Sequence, residues 1–295
     1  MELASVTVPK REPLIVPVSD TQVGPEEADT KGFRKFIERT LEHDNVVYLG
    51  LGDYTDMGTP SNRKTIAKAM AEDGIYDTVV DALEGQAETH IETFLSLVEG
   101  TEGKWVGLLA GHHWYQVLDG STSDTRICQA LGTRFLGNAA MVRVRYATEG
   151  RGGKKTHMQA PETNIWMHHG KGGGKLPGNP LNQLADMTRG FDADVFLQGH
   201  HHRSAATKVQ RLRPRWAKED DGNHTLVDKD MILGVTGGWL KGYMEGRKRG
   251  LHPEGAYPEK GMLVPLTLGG IVIRAFPSHA VGWPTIRLEP ELWSV

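Results

Sequence analysis

The residues of this chain best suited to chemistry are aspartates and histidines, and they come in five short groups. These are Ser19-Asp20-Thr21-Gln22, Gly52-Asp53-Tyr54-Thr55-Asp56, Gly111-His112-His113, His168-His169-Gly170 and Gly199-His200-His201-His202. Seven of the 13 histidines fall in the last three groups. The chain has one cysteine, Cys128, which excludes a disulfide framework, a Cys-based zinc finger and an iron–sulfur cluster held by one chain. A metal here must be held by His, Asp, Glu, Asn or Gln. Carboxylate oxygen and imidazole nitrogen without thiolate suit Mn, Fe, Zn, Ni or Co. Two such ions ~3.5 to 4 Å apart, bridged by a carboxylate, clamp a phosphoryl group and bring the pKa of bound water near neutrality. The donor set therefore points to cleavage of a phosphoester.

Each group comes directly after a short apolar run rich in Val, Ile and Leu. The runs are Leu14 to Val18, Val46 to Leu51, Trp105 to Ala110, Asn164 to Met167 and Val195 to Leu197. Runs this short read as buried strands. Between the first two, Phe33, Phe36, Ile37 and Leu41 recur at helical spacing after Asp29 and Thr30 as caps. Between the next two, Ile75, Val79, Leu83, Ala87, Ile91, Leu95 and Val98 predict a long amphipathic helix closed by Gly100. Thr59-Pro60-Ser61 has the form of another helix start. Strands alternating with helices predict an α/β core whose strand ends carry the functional groups. After His202 the runs Met231 to Val235, Gly270 to Phe276 and Thr285 to Leu288 are extended, and no linker sets this β-rich half apart.

The order of these groups resembles the motifs of the calcineurin-like metallophosphoesterases, which read D-x-H, G-D-x-x-D, G-N-H, H-G and G-H-x-H. The match in order and strand-end context spans residues 14 to 203, with the last motif complete. The stretch from His168 to Arg203 also looks like members of that family encoded in phage genomes. The resemblance implies a four-layer α/β/β/α sandwich with two mixed β-sheets, one domain over residues 1–295, and a dinuclear site at the sheet edge. Position by position, it implies that Asp20 and His202 hold a first metal, Asp53 bridges, and His169 and His200 hold the second. His113 matches the histidine that contacts the scissile phosphate and protonates the leaving oxygen. Asp56 would orient a ligand or that histidine; His168 and His201 stand where the pattern requires nothing and are expected to have a structural role or, His168 above all, to support the ligands from behind.

Two departures stand out. Gln22 occupies the place of a histidine and His112 that of an asparagine, so the two sites exchange nitrogen and oxygen donors. An amide oxygen is a weaker donor than imidazole, so the first site is expected to bind its ion more loosely than the second. Mn is the favoured ion, with Zn, Fe, Ni and Co as alternatives. The reaction implied is attack on phosphorus by a metal-bound hydroxide, with His113 assisting the leaving group.

Substrate class is read from the basic residues. Lys171 and Lys175 lie in the glycine-rich run His169 to Lys175, which lacks the spacing and the Ser or Thr of a P-loop. With Arg203 they are candidates to meet substrate phosphates. Arg203, Lys208, Arg211, Arg213, Arg215 and Lys218 accompany Trp216, and Lys241, Arg247, Lys248 and Arg249 lie near Trp239 and Tyr243. Basic residues interleaved with aromatics suit a nucleic-acid backbone; a solvated face balanced by Glu219, Asp220 and Asp221 suits them equally. The expected substrate is a phosphodiester, with DNA or RNA favoured. A phosphomonoester or cyclic nucleotide is the alternative, and a metal-binding module without turnover, binding nucleic acid or protein, is the alternative from another class.

The remaining composition removes options. A formal charge of −3 excludes a globally basic coat. Charges in the first 13 residues and the absence of ~18 consecutive apolar residues argue against a secretory signal and a membrane span, so a cytoplasmic location is expected. No H-E-x-x-H or G-x-S-x-G occurs, which removes the main support for a zincin protease or an α/β-hydrolase.

Overall fold

The computed structural model describes residues 1–72, 74–147, 160–172, 176, 178–215, 224–280 and 283–294. In chain order its elements are β1 (Glu2–Pro9), β2 (Leu14–Val18), α1 (Thr30–Leu41), β3 (Val46–Gly50), α2 (Pro60–Ala71), α3 (Asp77–Leu97), β4 (Trp105–Leu108), α4 (Ser123–Ala130) and β5 (Ala139–Ala147). They continue with β6 (Glu162–His168), α5 (Asn179–Met187), β7 (Val195–Gln198), β8 (Ser204–Arg215), β9 (Thr225–Thr236), β10 (Lys248–Arg249), β11 (His252–Pro253), α6 (Tyr257–Lys260), β12 (Gly269–Ala280) and β13 (Trp283–Ser294).

Two mixed sheets form the body, one ordered β13-β12-β2-β3-β4 and the other β1-β5-β6-β7-β9-β8. Side chains alternate along a strand, and β2 and β3 are apolar throughout because both of their faces are covered. Ile15, Val47 and Leu49 point into the core between the sheets, meeting Val142, Ile165, Met167, Val195 and Leu197. Their neighbours Leu14, Val16, Val18 and Tyr48 face the other way, onto Phe33, Phe36, Ile91, Phe94 and Ile127 from α1, α3 and α4. Behind the six-stranded sheet, Trp166 and Phe196 pack on Leu184 of α5. The layers are thus α/β/β/α, as the motif resemblance implies.

The helices start where their caps predict, with two differences in detail. Thr59 caps α2, its hydroxyl accepting from the Asn62 amide, but the Asp29 side chain makes no cap bond to α1 and lies 3.3 Å from Lys241 Nζ instead. On α3 the buried stripe is Val80, Ala87, Ile91 and Phe94, and Val79 is 46% exposed. Two adjacent valines satisfy the helical period equally, and packing selects the second. The β-rich C-terminal half consists mainly of two long antiparallel hairpins, β8–β9 and β12–β13. No helix among the described residues is long and apolar enough to cross a membrane.

Candidate metal centre

In the five-stranded sheet β2, β3 and β4 run parallel, and in the other sheet β6 and β7 do. Parallel strands release their loops at one edge, so all five sequence groups emerge there. Backbone pairing continues past the strands: Asp20 N donates to Gly52 O (3.1 Å) and Gln22 N to Asp53 O (2.9 Å). The two sheets are joined at the same place by His200 N, which donates to Asp20 Oδ2 at 2.8 Å. Asp20, Gln22, Asp53, His200 and His202 all adopt left-handed backbone, with φ of 52°, 43°, 55°, 70° and 53°. Each such residue costs about 1–3 kcal/mol and persists only where its surroundings hold it. Gly111 is required by close approach, since a Cβ there would stand 2.1 Å from Asp53 Oδ1.

Asp53, His112, His169 and His200 each offer one donor atom, and the four atoms lie within 4.8 Å of one another. His169 Nδ1 donates to the Leu51 carbonyl at 2.7 Å, which fixes its ring and directs Nε2 at the cluster. That buried Nε2 has no hydrogen-bond partner; it lies 3.1 Å from Asp53 Oδ2 without the alignment of a hydrogen bond. Burial disfavours a charged His169, yet the Asp53 carboxylate holds the ring up at about 9, so positive charge is favoured between these two atoms. Burial and the neighbouring His169 push His112 down, and burial with His169 and His112 pushes His200 down to about 4. Their Nδ1 atoms, 3.2 Å apart, are neutral donors facing each other. Buried, unprotonated imidazoles around a carboxylate suit a divalent metal ion.

A second group adjoins the first. Asp20 Oδ1 is buried without a hydrogen-bond partner and lies 3.5 Å from His202 Nε2. The Gln22 amide is 3.5 Å from the same nitrogen through Nε2, and a half-turn about its last torsion presents Oε1 there instead. Asp20 Oδ2 accepts from Ser19 Oγ as well as His200 N, and burial raises its pKa. Asp53 resists the same effect: contact with His169 and His113, including the His113 backbone N–H, outweighs burial and keeps it ionised.

His113 stands at the mouth of this group. Its Nδ1 is 2.8 Å from Asp56 Oδ1, and Nε2 points inward, 4.0 Å from Asp53 Oδ2. Burial opposes its charge, but the Asp56 and Asp53 carboxylates raise its pKa above the usual range. His168 lies outside the four-donor group, stacked on Trp166 with ring centroids 6.0 Å apart. Its Nδ1 accepts from Gly170 N at 2.8 Å, bracing the turn that carries His169. His201 turns outward to Gln183 Oε1 at 3.3 Å.

Two residues that build this centre give no signal in the sequence. Arg63, in the first turns of α2, donates through Nη1 to the carbonyls of Gly58 (3.2 Å), Trp114 (3.2 Å) and His112, and stacks on the Trp114 ring at 4.0 Å. Asp124, in the first turn of α4, accepts from Gly111 N at 3.1 Å, and burial raises it to about 7. Neither belongs to one of the five Asp and His groups, so nothing in the sequence singles it out. Because Arg63 clamps the loop that carries His112 and His113, Arg63→Ala should cost about 2 kcal/mol of stability in chemical denaturation. Arg63→Lys should recover less than half of it, since an ammonium cannot fork and stack together.

The residues proposed to bind substrate are less concentrated. Lys171 is exposed and Arg203 half-buried, and Lys175 lies outside the described residues, as do Trp216, Lys218, Glu219, Asp220 and Asp221. Much of the basic surface is paired within the fold: Lys208 with Asp230 (2.7 Å), Arg213 with Asp192 (3.0 Å), Lys241 with Asp29 and Arg247 with Glu27. Arg211 donates to the Thr188 carbonyl at 3.0 Å. Trp239, read from sequence as a surface aromatic beside these bases, is 3% exposed and packs against Phe33 and Phe36. Its apolar area is worth more in that core than in water.

No family model matches the chain, and no curated protein does. Among solved structures, it is similar to vacuolar protein sorting 29 from Cryptosporidium parvum at 11% identity and TM-score 0.38, covering 96% of this chain and 99% of that one. It is similar to a Vps29 variant from Entamoeba histolytica at 10% identity and TM-score 0.38, covering 95% and 99%. A candidate 5′-nucleotidase from Staphylococcus aureus aligns at 11% identity and TM-score 0.30, over 97% of this chain and 54% of that one. The two-sheet layering and the order and strand-end placement of its Asp, His and Gly groups are those that the resemblance to the calcineurin-like metallophosphoesterases implies.

Proposed function

We propose that this chain is a metal-dependent phosphoesterase that hydrolyses phosphodiesters, with nucleic acid as the favoured substrate. The observation that carries the reading is the convergence of Asp53, His112, His169 and His200, beside Asp20, Gln22 and His202, with a carboxylate-paired His113 at the mouth. Asp20, Gln22, Asp53 and His202 would hold one divalent ion, and Asp53, His112, His169 and His200 the other. When bound, such ions supply Lewis acidity toward phosphoryl oxygens and lower the pKa of water.

The protein's own residues do the rest. Two backbone N–H groups, of His112 and His113, donate to Asp53 Oδ1 and hold that carboxylate still. Asp56 accepts from His113 Nδ1, so the exchangeable proton sits on Nε2, the nitrogen that faces the cluster. His113 Nε2 gives that proton to the oxygen leaving phosphorus, and Asp56 stabilises the imidazolium beforehand. The exposed Lys171, two residues after His169, supports an anionic substrate at that edge.

The test incubates metal-loaded protein with bis(p-nitrophenyl) phosphate, p-nitrophenyl phosphate, and labelled single- and double-stranded DNA, with and without Mn. Cleavage of the diester and of DNA is expected. Turnover of the monoester alone would move the substrate class to phosphomonoesters. Absence of turnover with every metal would overturn the enzyme reading in favour of a binding module.

A further inference from the structure

The donor atoms at this edge are divided unevenly, and the division tracks chemical type. The group around His112 presents three imidazole nitrogens and one carboxylate oxygen. The group around Asp20 presents one imidazole, from His202, one carboxylate and the Gln22 amide, to which the motif resemblance would add Asp53 as a shared ligand. We infer that the two sites select different ions: a borderline, nitrogen-seeking ion such as Zn or Co at Asp53–His112–His169–His200, and a harder, oxygen-seeking ion such as Mn at Asp20–Gln22–Asp53–His202. The inference rests on the proposed metal centre and deepens it.

Three observations carry it. First, in two of the six donor pairs His112 Nδ1 and His200 Nδ1 stand 3.2 Å apart and His169 Nε2 and Asp53 Oδ2 3.1 Å, with all four donors inside 4.8 Å. A tetrahedron of donors around zinc has edges of about 3.3 Å. Second, the Gln22 amide is built into its site. Its residue is 3% exposed, its backbone is left-handed at φ 43°, and its N–H is tied to Asp53 O at 2.9 Å. A long side chain held there at a conformational cost is positioned, not incidental. Third, neutral nitrogen donors favour ions late in the first transition row, whereas carboxylate and amide oxygens discriminate little and suit Mn or Mg. The Gln22 and His112 exchanges therefore move nitrogen from one site to the other and widen the difference in selectivity.

The experiment reads metal content, independently of turnover. Full-length protein stripped by chelator is equilibrated by dialysis against Zn with Mn in large excess, because any N/O site favours Zn at equal concentration, and bound metals are counted by mass spectrometry; a parallel titration tracks Co by its visible absorption. One Zn and one Mn per chain are expected. The first Co equivalent should give the intense bands of a low-coordinate site and the second only weak absorption. His112→Asn should weaken the first equivalent by at least the ~10–100-fold that loss of an outer partner costs. Gln22→His should make the second equivalent retain Zn instead of Mn. Two Zn or two Mn on the unaltered chain, or unchanged retention in both variants, would overturn the inference while leaving hydrolysis to be judged by its own assay. Retention of no metal at all would overturn both.

Discussion

His113→Asn is expected to abolish most turnover while leaving metal content unchanged. His113 lies outside the four-donor cluster, and its Nδ1 is engaged by Asp56 at 2.8 Å, so its loss removes no proposed ligand. What disappears is the proton at Nε2. A positioned general acid contributes ~10²–10⁴-fold, and kcat should fall by that range on esters with poor leaving groups such as alkoxides. Esters of p-nitrophenol, whose oxygen leaves without protonation, should lose much less, and this difference separates an acid from a structural residue. The pH profile supplies a second check. An acid works only while protonated, so activity is lost as pH rises through its pKa. Asp56 and Asp53 raise that pKa against burial, hence Asp56→Asn should bring the alkaline limb to lower pH. Equal losses on both classes of ester, with an unmoved limb, would remove His113 from the role.

Asp53→Asn should do the opposite: activity and metal go together, while the fold survives. Asp53 is 2% exposed and accepts from the backbone N–H groups of His112 and His113 through Oδ1. An amide oxygen at that position still accepts both bonds, and its NH₂ can donate to His169 Nε2. The charge that a shared cation needs is lost. Turnover should drop to the level of the metal-free protein, and bound metal measured by mass spectrometry should fall sharply at both sites. Thermal denaturation gives the stability side. A ligand at ~100 times its Kd stabilises by about 2.7 kcal/mol, so metal should raise the melting temperature of the unaltered chain and leave that of Asp53→Asn unmoved. A variant that keeps its metal would show that Asp53 is not the bridge.

The legibility of this centre differs residue by residue. Asp20, Asp53 and His169 were readable because each closes a short apolar run, and parallel strands deliver their ends to one edge. The α/β core was readable from the same runs, whose alternate residues are apolar on both faces, whereas the two-sheet layering came from the motif resemblance. Val79 against Val80 on α3 was not, because adjacent apolar residues leave the helical period undecided. Nor was the fate of the basic residues: Lys208 and Arg213 find Asp230 and Asp192 only once β8 folds against β9 and α5 packs behind.

Residue type and local period were enough to pick out the Asp and His groups, to exclude thiolate chemistry and to place the groups at strand ends, because those properties belong to segments of a few residues; the assignment of individual ligands came from the motif resemblance. Which nitrogen of each imidazole faces the cluster, and that Arg63 and Asp124 hold the His112–His113 loop, were decided in three dimensions. The reason is distance along the chain. The bond from His112 N to Asp53 spans 59 residues and that from His200 N to Asp20 spans 180. The left-handed backbone at Asp20, Gln22, Asp53, His200 and His202 is sustained by such contacts, which add to the modest tolerance of Asp and His for that region.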